Sequence, residues 1–346
     1  MTLLYFILVL GVTIFIHEFG HFIFAKKAGI YVYEFSLGMG PRIIHFKRKN
    51  DETEYSIRLF PIGGFVQMAG EEIEADENIP ADKRMQAKGW VPRMLTVVAG
   101  VIFNFLLALL LLFIVAMIEG APDNKAYIGK VYQGYPASNT KLKAGDEILA
   151  LNGKKVSSSD MFLLNMSIQK GQKLELTVRH KNGKKEDIYI KAKKEKENGK
   201  EGYHYGFALG SKVHHGIWPS IQYAFSKTAS LINQMFHIIL YIFSGDLSFN
   251  NLAGPVGIYT LVGQTVQTGF INILYLIAYL CINVGFINIL PIPAFDGGRL
   301  LFMIIEKIRG KQMNPSTENL IHGVTFVFLM IFMVMITFQD IARFFT

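Results

Sequence analysis

The chain has 346 residues, 51% of them hydrophobic and 18% charged, with a mean hydropathy of +0.30. That balance excludes an ordinary soluble globular protein and requires lipid-facing and water-facing parts to be segregated along the sequence. The net charge of +8, from 35 Lys+Arg against 27 Asp+Glu, sits in stretches without interleaved aromatics. It reads as attraction to anionic lipid headgroups, with no nucleic-acid partner expected.

Residues 3–25 reach the about 20 residues that a bilayer core requires. They lack the basic start and cleavage site of a secretory signal, so a retained transmembrane helix is predicted. Inside this run stands His17-Glu18-Phe19-Gly20-His21. A charged side chain at mid-membrane costs roughly 2.5 to 3.5 kcal/mol, so Glu18 and its flanking histidines need partners. Helical positions i and i+4 share a face, so His17 and His21 can bind one Zn²⁺ while Glu18 reaches a water beside it. The same residues would also suit a proton relay in a transporter. A third ligand from a second apolar region would decide for the metal.

Residues 55–60 alternate polar and apolar side chains, then meet Pro61-Ile62-Gly63-Gly64 and Phe65-Val66-Gln67-Met68. A β-hairpin or meander at the membrane surface is predicted. Residues 71–88 are polar and acid-rich, a surface loop or short helix, and 94–118 form a second span. Its Asn104 either ties helices together or touches the site. From 126 to 209, β-type runs at 127–132, 147–151, 174–179, 187–190 and 203–209 alternate with helix-like pieces at 138–143 and 159–170. Asn152-Gly153 and Asn182-Gly183 supply the turns. The charge run 193–200 reads as a solvated hairpin loop. Residues 217–243 are apolar but carry Gln222, Lys227, Asn233, Gln234 and His237. An odd extra crossing would turn the last proline-rich segment away from the histidines, so a helix lying on the interface is expected. Spans at 271–290 and 324–341 follow. Cys281, the one cysteine, falls in the first of these and is read as a small buried hydrophobe. The remaining histidines, His45, His180, His204, His214, His215, His237 and His322, read as surface or interfacial.

Flanking cations orient the spans. Lys26, Lys27, Lys83, Arg84, Lys88, Arg93, Arg299, Lys307, Arg309 and Lys311 should face the cytoplasm, leaving residues 119–216 outside. Residues 5 to 9 positions before Lys26 lie roughly 7 to 14 Å into the membrane at helical rise, so a metal on His17 and His21 is expected toward the cytoplasmic side. Asp296, after Asn288-Ile289-Leu290-Pro291-Ile292-Pro293, comes at that same side. Two prolines two apart prevent a regular helix, and irregular backbone at membrane depth is tolerated where it lines a cavity. Asp296 is therefore the candidate third ligand; the competing reading is a helix N-cap in a plain turn. Glu306 is the alternative acid nearby, at what looks like a helix end.

The histidine motif, the Asn-x-x-Pro-x-Pro-x-x-Asp-Gly pattern from Asn288 to Gly297, Gly63-Gly64-Phe65-Val66, Phe35-Ser36-Leu37-Gly38-Met39-Gly40-Pro41 and Gly254-Pro255-Val256-Gly257 together resemble the site-2 intramembrane zinc metalloproteases. The resemblance is to their bacterial PDZ-containing branch, the regulator of sigma-E protease group. It implies a polytopic α-helical membrane protein of four transmembrane helices, with a membrane-associated β-hairpin and one inserted PDZ-like extracytoplasmic domain. The expected divisions are 1–120, 121–212 (PDZ-like), 213–268 (interfacial helix and loop) and 269–346. It further implies Zn²⁺ on His17, His21 and Asp296, with Glu18 as catalytic base. Asn288, Pro291 and Pro293 would help position an unwound substrate. Apart from the resemblance, the strand-like segment 55–68, with Gly64, Phe65 and Val66, offers unpaired backbone groups that could receive the opened substrate as an added strand; the competing reading is a simple amphipathic membrane anchor. Implied partners are single-span membrane proteins, such as anti-sigma factors or signal-peptide remnants, and the bilayer of a bacterial inner membrane. The PDZ-like domain would bind a peptide or screen substrate ectodomains by size. Its Tyr127-Ile128-Gly129 departs from the usual carboxylate-binding turn. A membrane scaffold using that domain for binding is the rival reading.

Overall fold

A computed structural model describes residues 1–70, 79–169, 171–197, 200–249, 252–311 and 313–343. In chain order the elements are α1 (Thr2–Lys27), β1 (Val32–Lys47), β2 (Glu54–Met68), α2 (Trp90–Glu119), β3 (Ala121–Pro122), β4 (Tyr127–Val131), β5 (Glu147–Leu151), β6 (Lys154–Lys155), α3 (Ser159–Ser167), β7 (Leu174–Arg179), β8 (Lys185–Ile190), β9 (Lys193–Glu197), β10 (Lys200–His204), β11 (Phe207–Gly210), β12 (Val213–His214), α4 (Ile217–Ser244), α5 (Pro255–Thr268), α6 (Phe270–Ile289), α7 (Asp296–Arg309) and α8 (Pro315–Ala342). They divide into two compact units, Met1–Leu111 with Asn250–Thr346, and Leu112–Phe249. The boundary falls inside α2, and α5 belongs to the first unit.

Among the described residues, four helices are long and apolar enough to cross a membrane: α1, α2, α6 and the Ser316–Ala342 part of α8. In the first unit α1 and α2 touch backbone to backbone. A Cβ on Gly20 would stand 2.5 Å from the Ala99 carbonyl oxygen and 3.0 Å from the Gly100 Cα. Small residues permit such an approach where lipid offers no hydrophobic driving force and dispersion must hold helices together. The start of α2 is tied to α7: Trp90 Nε1 donates to the Met303 carbonyl at 3.1 Å, and Arg93 Nη2 to Glu306 Oε2 at 3.2 Å. Buried Asp340 of α8 accepts from the Gly254 and Gly257 N–H groups at 2.9 and 2.8 Å, satisfying free donors at the start of α5.

The strand pair differs from the β-hairpin or meander expected within residues 55–68. Residues 54–57 and 64–68 both pair with β1, whose first half has Cα partners Phe35–Val66 and Leu37–Gly64 on one side and Phe35–Tyr55 and Leu37–Ile57 on the other. The reason is in β1 itself. Glu34, 2% exposed, needs cationic partners, and Arg58 of β2 and Arg42 of β1 supply them at 2.8 and 2.5 Å, with Ser56 adding a hydrogen bond. Gly64–Met68 is left as the outer segment, with β1 on one side and, among the described residues, no strand on the other. The loop expected at 71–88 lies partly outside the described residues; its later part forms short 3₁₀ turns at Ala81–Lys83 and Met85–Ala87.

In the second unit the strands follow the order β11-β4-β5-β7-β8, with β6 on β5. Alternate residues Leu174, Leu176 and Val178 of β7 are fully buried against Ile128, Leu151 and Phe162, the period-2 pattern of a sheet with one wet face. The helix expected at 138–143 is a 3₁₀ turn at Pro136–Asn139, too short to bury a helical stripe. The run expected at 203–209 breaks into β10 and β11 at Gly206, whose φ of 90° no regular strand allows. β9 and β10 form their own two-stranded ribbon.

The 28-residue α4 packs on α3. Lys227 Nζ donates to Asp160 Oδ1 at 2.6 Å, Ser230 Oγ to Asp160 Oδ2 at 2.7 Å, and Tyr241 Oη to Asn165 Oδ1 at 2.7 Å. Of the polar residues that set α4 apart from a span, Lys227 is thus spent on α3. Its other side exposes Trp218, Phe225, Phe236, Leu240 and Phe243.

Candidate active site

Four residues of α1 and α7 converge in the first unit. His17 and His21, 7% and 8% exposed, share one face of α1. Asp296 reaches them because α6 cannot continue: Leu290 before Pro291 is extended (ψ 143°), and the chain turns through Pro293 before α7 starts at Asp296. Phe295 is the N-cap of α7 and makes no side-chain cap bond. The Asp296 carboxylate is therefore aimed at the histidines and does not cap its own helix.

The facing atoms form a triangle. His17 Nε2 to Asp296 Oδ2 is 3.2 Å, His21 Nε2 to the same oxygen 3.3 Å, and the two Nε2 atoms are 3.3 Å apart. Donors at zinc bond lengths of 2.0 to 2.1 Å in a tetrahedron lie about 3.3 to 3.4 Å from one another, so the triangle fits one face of a zinc tetrahedron. Asp296 Oδ2 is buried, yet it makes a hydrogen bond with neither imidazole. With both Nε2 lone pairs turned inward, the triangle presents three acceptors, the donor set that a cation resolves. Among the described residues no other group of three or more His, Cys, Asp or Glu has this convergence. Glu306 is instead held by Arg93 and by the Met313 N–H at 3.0 Å.

A cavity of about 320 Å³ opens onto this triangle, lined by His17, Glu18, His21, Phe65, Val66, Met68, Val97, Ala294, Phe295, Asp296 and Arg299. Glu18, Phe65 and Val66 therefore share one chamber with the donor set. Gly64 lies against α1: a Cβ there would meet Glu18 Cγ at 3.2 Å and the Ser36 carbonyl at 2.9 Å. Asn288 Nδ2 is 3.4 Å from His17 Nε2. Pro291 and Pro293 shape the loop but do not line the chamber, whereas Ala294, Phe295 and Arg299, not singled out in the sequence, do. Asn104 both ties α2 to α1 and touches the site, with Nδ2 3.3 Å from His17 Nδ1. The histidines read as surface residues include two that are largely enclosed: His180 lies 2.9 Å from buried Asp146, and His322 lies 3.8 Å from Glu318 one helical turn away.

In the second unit, Tyr127–Gly129 does not border a peptide groove. It lies between β11 and β5, with Cα partners Ile128–Leu209 and Tyr127–Glu147. A groove of about 510 Å³ runs instead between Phe162, Leu163 and Met166 of α3 and Phe207–Leu209 of β11.

Apolar helices that enclose two imidazoles, a carboxylate and a neighbouring glutamate define a membrane-embedded metallopeptidase. The model of peptidase family M50 matches residues 5–332, and the chain belongs to that family. It is 31% identical to the zinc metalloprotease RasP of Oceanobacillus iheyensis, over 99% of both chains. It is 29% identical to the regulator of sigma-W protease RasP of Bacillus subtilis, again over 99% of both. A quarter of the chain (25%) is similar, at 27% identity and a TM-score of 0.21, to 88% of a solved PDZ domain from an SdrC-like protein of Listeria monocytogenes.

Proposed function

We propose that this chain is a zinc-dependent intramembrane endopeptidase that cleaves the transmembrane segments of single-span membrane proteins. Zn²⁺ is held by His17, His21 and Asp296, and Glu18 is the base. The observation that carries this reading is the 3.2, 3.3 and 3.3 Å donor triangle in one chamber with Glu18. When bound, zinc polarises the scissile carbonyl and lowers the pKa of a ligated water to about 7. Glu18 takes the proton of the attacking water and delivers it to the leaving nitrogen. The Asn288 amide, aimed at the same space, donates to the carbonyl oxygen as negative charge develops there.

A substrate helix presents no free peptide, because its carbonyls are bonded within the helix. Local unwinding is required, and the outer segment Gly64–Met68 offers replacement bonds by strand addition beside the chamber. Pro291 and Pro293 keep the opposite wall non-helical. The cationic flanks support an orientation with the metal toward the cytoplasm and the β-rich unit outside, in a bacterial inner membrane. The outward apolar residues of α4 then rest on the outer leaflet, and the β-rich unit screens substrate ectodomains by size.

Metal analysis of the purified protein and a cleavage assay on a single-span model substrate test the reading together. Glu18→Gln should keep stoichiometric zinc and lose about 10²- to 10⁴-fold in cleavage rate. Cleavage at the wild-type rate by Glu18→Gln would reject Glu18 as the base, and protein without zinc would reject the metal reading.

A further inference from the structure

Building on the zinc reading, we infer that Asn104 is a positioning residue for the metal: its amide oxygen accepts the Nδ1 proton of His17 and so keeps the Nε2 lone pair free for zinc. Asn104 is fully buried in an apolar helix, where an unsatisfied amide is costly. Its Nδ2 faces His17 Nδ1 at 3.3 Å, while its Oδ1 is buried without a hydrogen-bond partner.

That orientation, with Nδ2 toward the ring, demands that Nδ1 accept and that Nε2 carry the ring hydrogen. A hydrogen on Nε2 would occupy the direction of Asp296 Oδ2, 3.2 Å away, and such a tautomer cannot ligate a metal through Nε2. Rotating the amide by 180° brings Oδ1 to Nδ1. The rotation pairs Oδ1 with Nδ1–H and leaves Nε2 bare, while the amide N–H groups turn to the side that Oδ1 now faces.

The rest of α2 is arranged to the same end. One turn before Asn104, Gly100 leaves room for both rings; a Cβ there would collide with His21 Nε2 and lie 2.8 Å from His17 Cε1. One turn earlier again, the Thr96 carbonyl accepts from His21 Nδ1 at 2.8 Å. Thr96, Gly100 and Asn104, spaced by four, form one helical face that sets the tautomer of each imidazole. The backbone serves His21. At His17 the group facing Nδ1 is the Asn104 side chain.

The test uses the full-length protein in detergent and compares wild type with Asn104→Ala, Asn104→Ser and Asn104→Asp. Zinc affinity is read by chelator competition, and Tm is measured with and without zinc. Ala and Ser, which cannot reach Nδ1, should weaken zinc binding by about 10- to 100-fold. The zinc-dependent rise in Tm should shrink in both. Asp, which accepts but cannot donate, should restore affinity to within about threefold of wild type. Cobalt substituted for zinc should show altered visible bands in Ala and Ser and wild-type bands in Asp. Wild-type affinity and bands in Ala and Ser would overturn the inference, as would an equal Tm loss in the metal-free and zinc-loaded forms. Wild-type protein that binds no zinc would instead refute the underlying metal reading.

Discussion

Asp296 does what no residue of α1 can. Two histidines one turn apart provide only two donors, and in the proposed zinc site the third comes from a helix start that abuts them where two prolines follow the end of the preceding span. Its carboxylate oxygen is 3.2 and 3.3 Å from the two Nε2 atoms, so removing it deletes a corner of the donor triangle. Asp296→Ala is expected to lower zinc affinity by more than about 100-fold, beyond the usual effect of losing an outer-shell partner, as measured by chelator competition. A second residue-scale prediction concerns Asp51. Burial raises its pKa, but the Thr53 N–H and the Lys26 ammonium outweigh this and hold the carboxyl at about 2. A depressed folded-state pKa stabilises the fold above the unfolded value of about 3.9 and ceases to do so as pH falls through about 2. The Tm difference between wild type and Asp51→Asn should be present at pH 7 and shrink steadily below pH 4.

At the scale of elements, the outer segment Gly64–Met68 is the part whose position beside the chamber has a functional consequence. Val66 pairs with Phe35 of β1 and lines the chamber. If the substrate adds as a strand, a proline here removes a donor from the ladder. Val66→Pro should cut cleavage by at least about tenfold while zinc content stays at the wild-type level. Unchanged cleavage would count against strand addition. Further along, α3 and α4 are joined by a buried polar cluster in which Asp160 is held by both Lys227 and Ser230. Truncating Asp160 removes the shared acceptor of both Lys227 and Ser230, and breaking such a buried pair costs more than the pair itself contributes.

At the scale of the molecule, the donor triangle lies in the first unit and the six-stranded sheet in the second, and the proposed function gives chemistry to the one and screening to the other. Removing the sheet unit should then leave catalysis intact and remove discrimination. β3 and β12 pair at the base of that unit, with Asp123 N–H donating to the Lys212 carbonyl at 2.7 Å, so a short Gly-Ser linker can join Asp123 to Ser211. The shortened protein is expected to cleave substrates that still carry a folded ectodomain, and the full chain is expected to reject them. Persisting rejection, read on a gel, would refute the size filter.

Much of this was legible in one dimension. Four spans follow from runs of apolar residues, because a bilayer leaves a backbone few alternatives to a helix. The donor pair follows from the four-residue period of that helix, and the broken span from its prolines. Contacts between segments distant in sequence were not legible. Which strand Glu54–Met68 would pair with depended on the buried charge of Glu34. The role of Asn104 depended on the close approach of α1 and α2, which no local pattern encodes. Tyr127–Gly129 proved to be interior strand, because neighbours on both sides of β4 are set by sheet order. Local chemistry and period are properties of the chain itself, whereas the partners of a buried polar atom exist only once packing has excluded water.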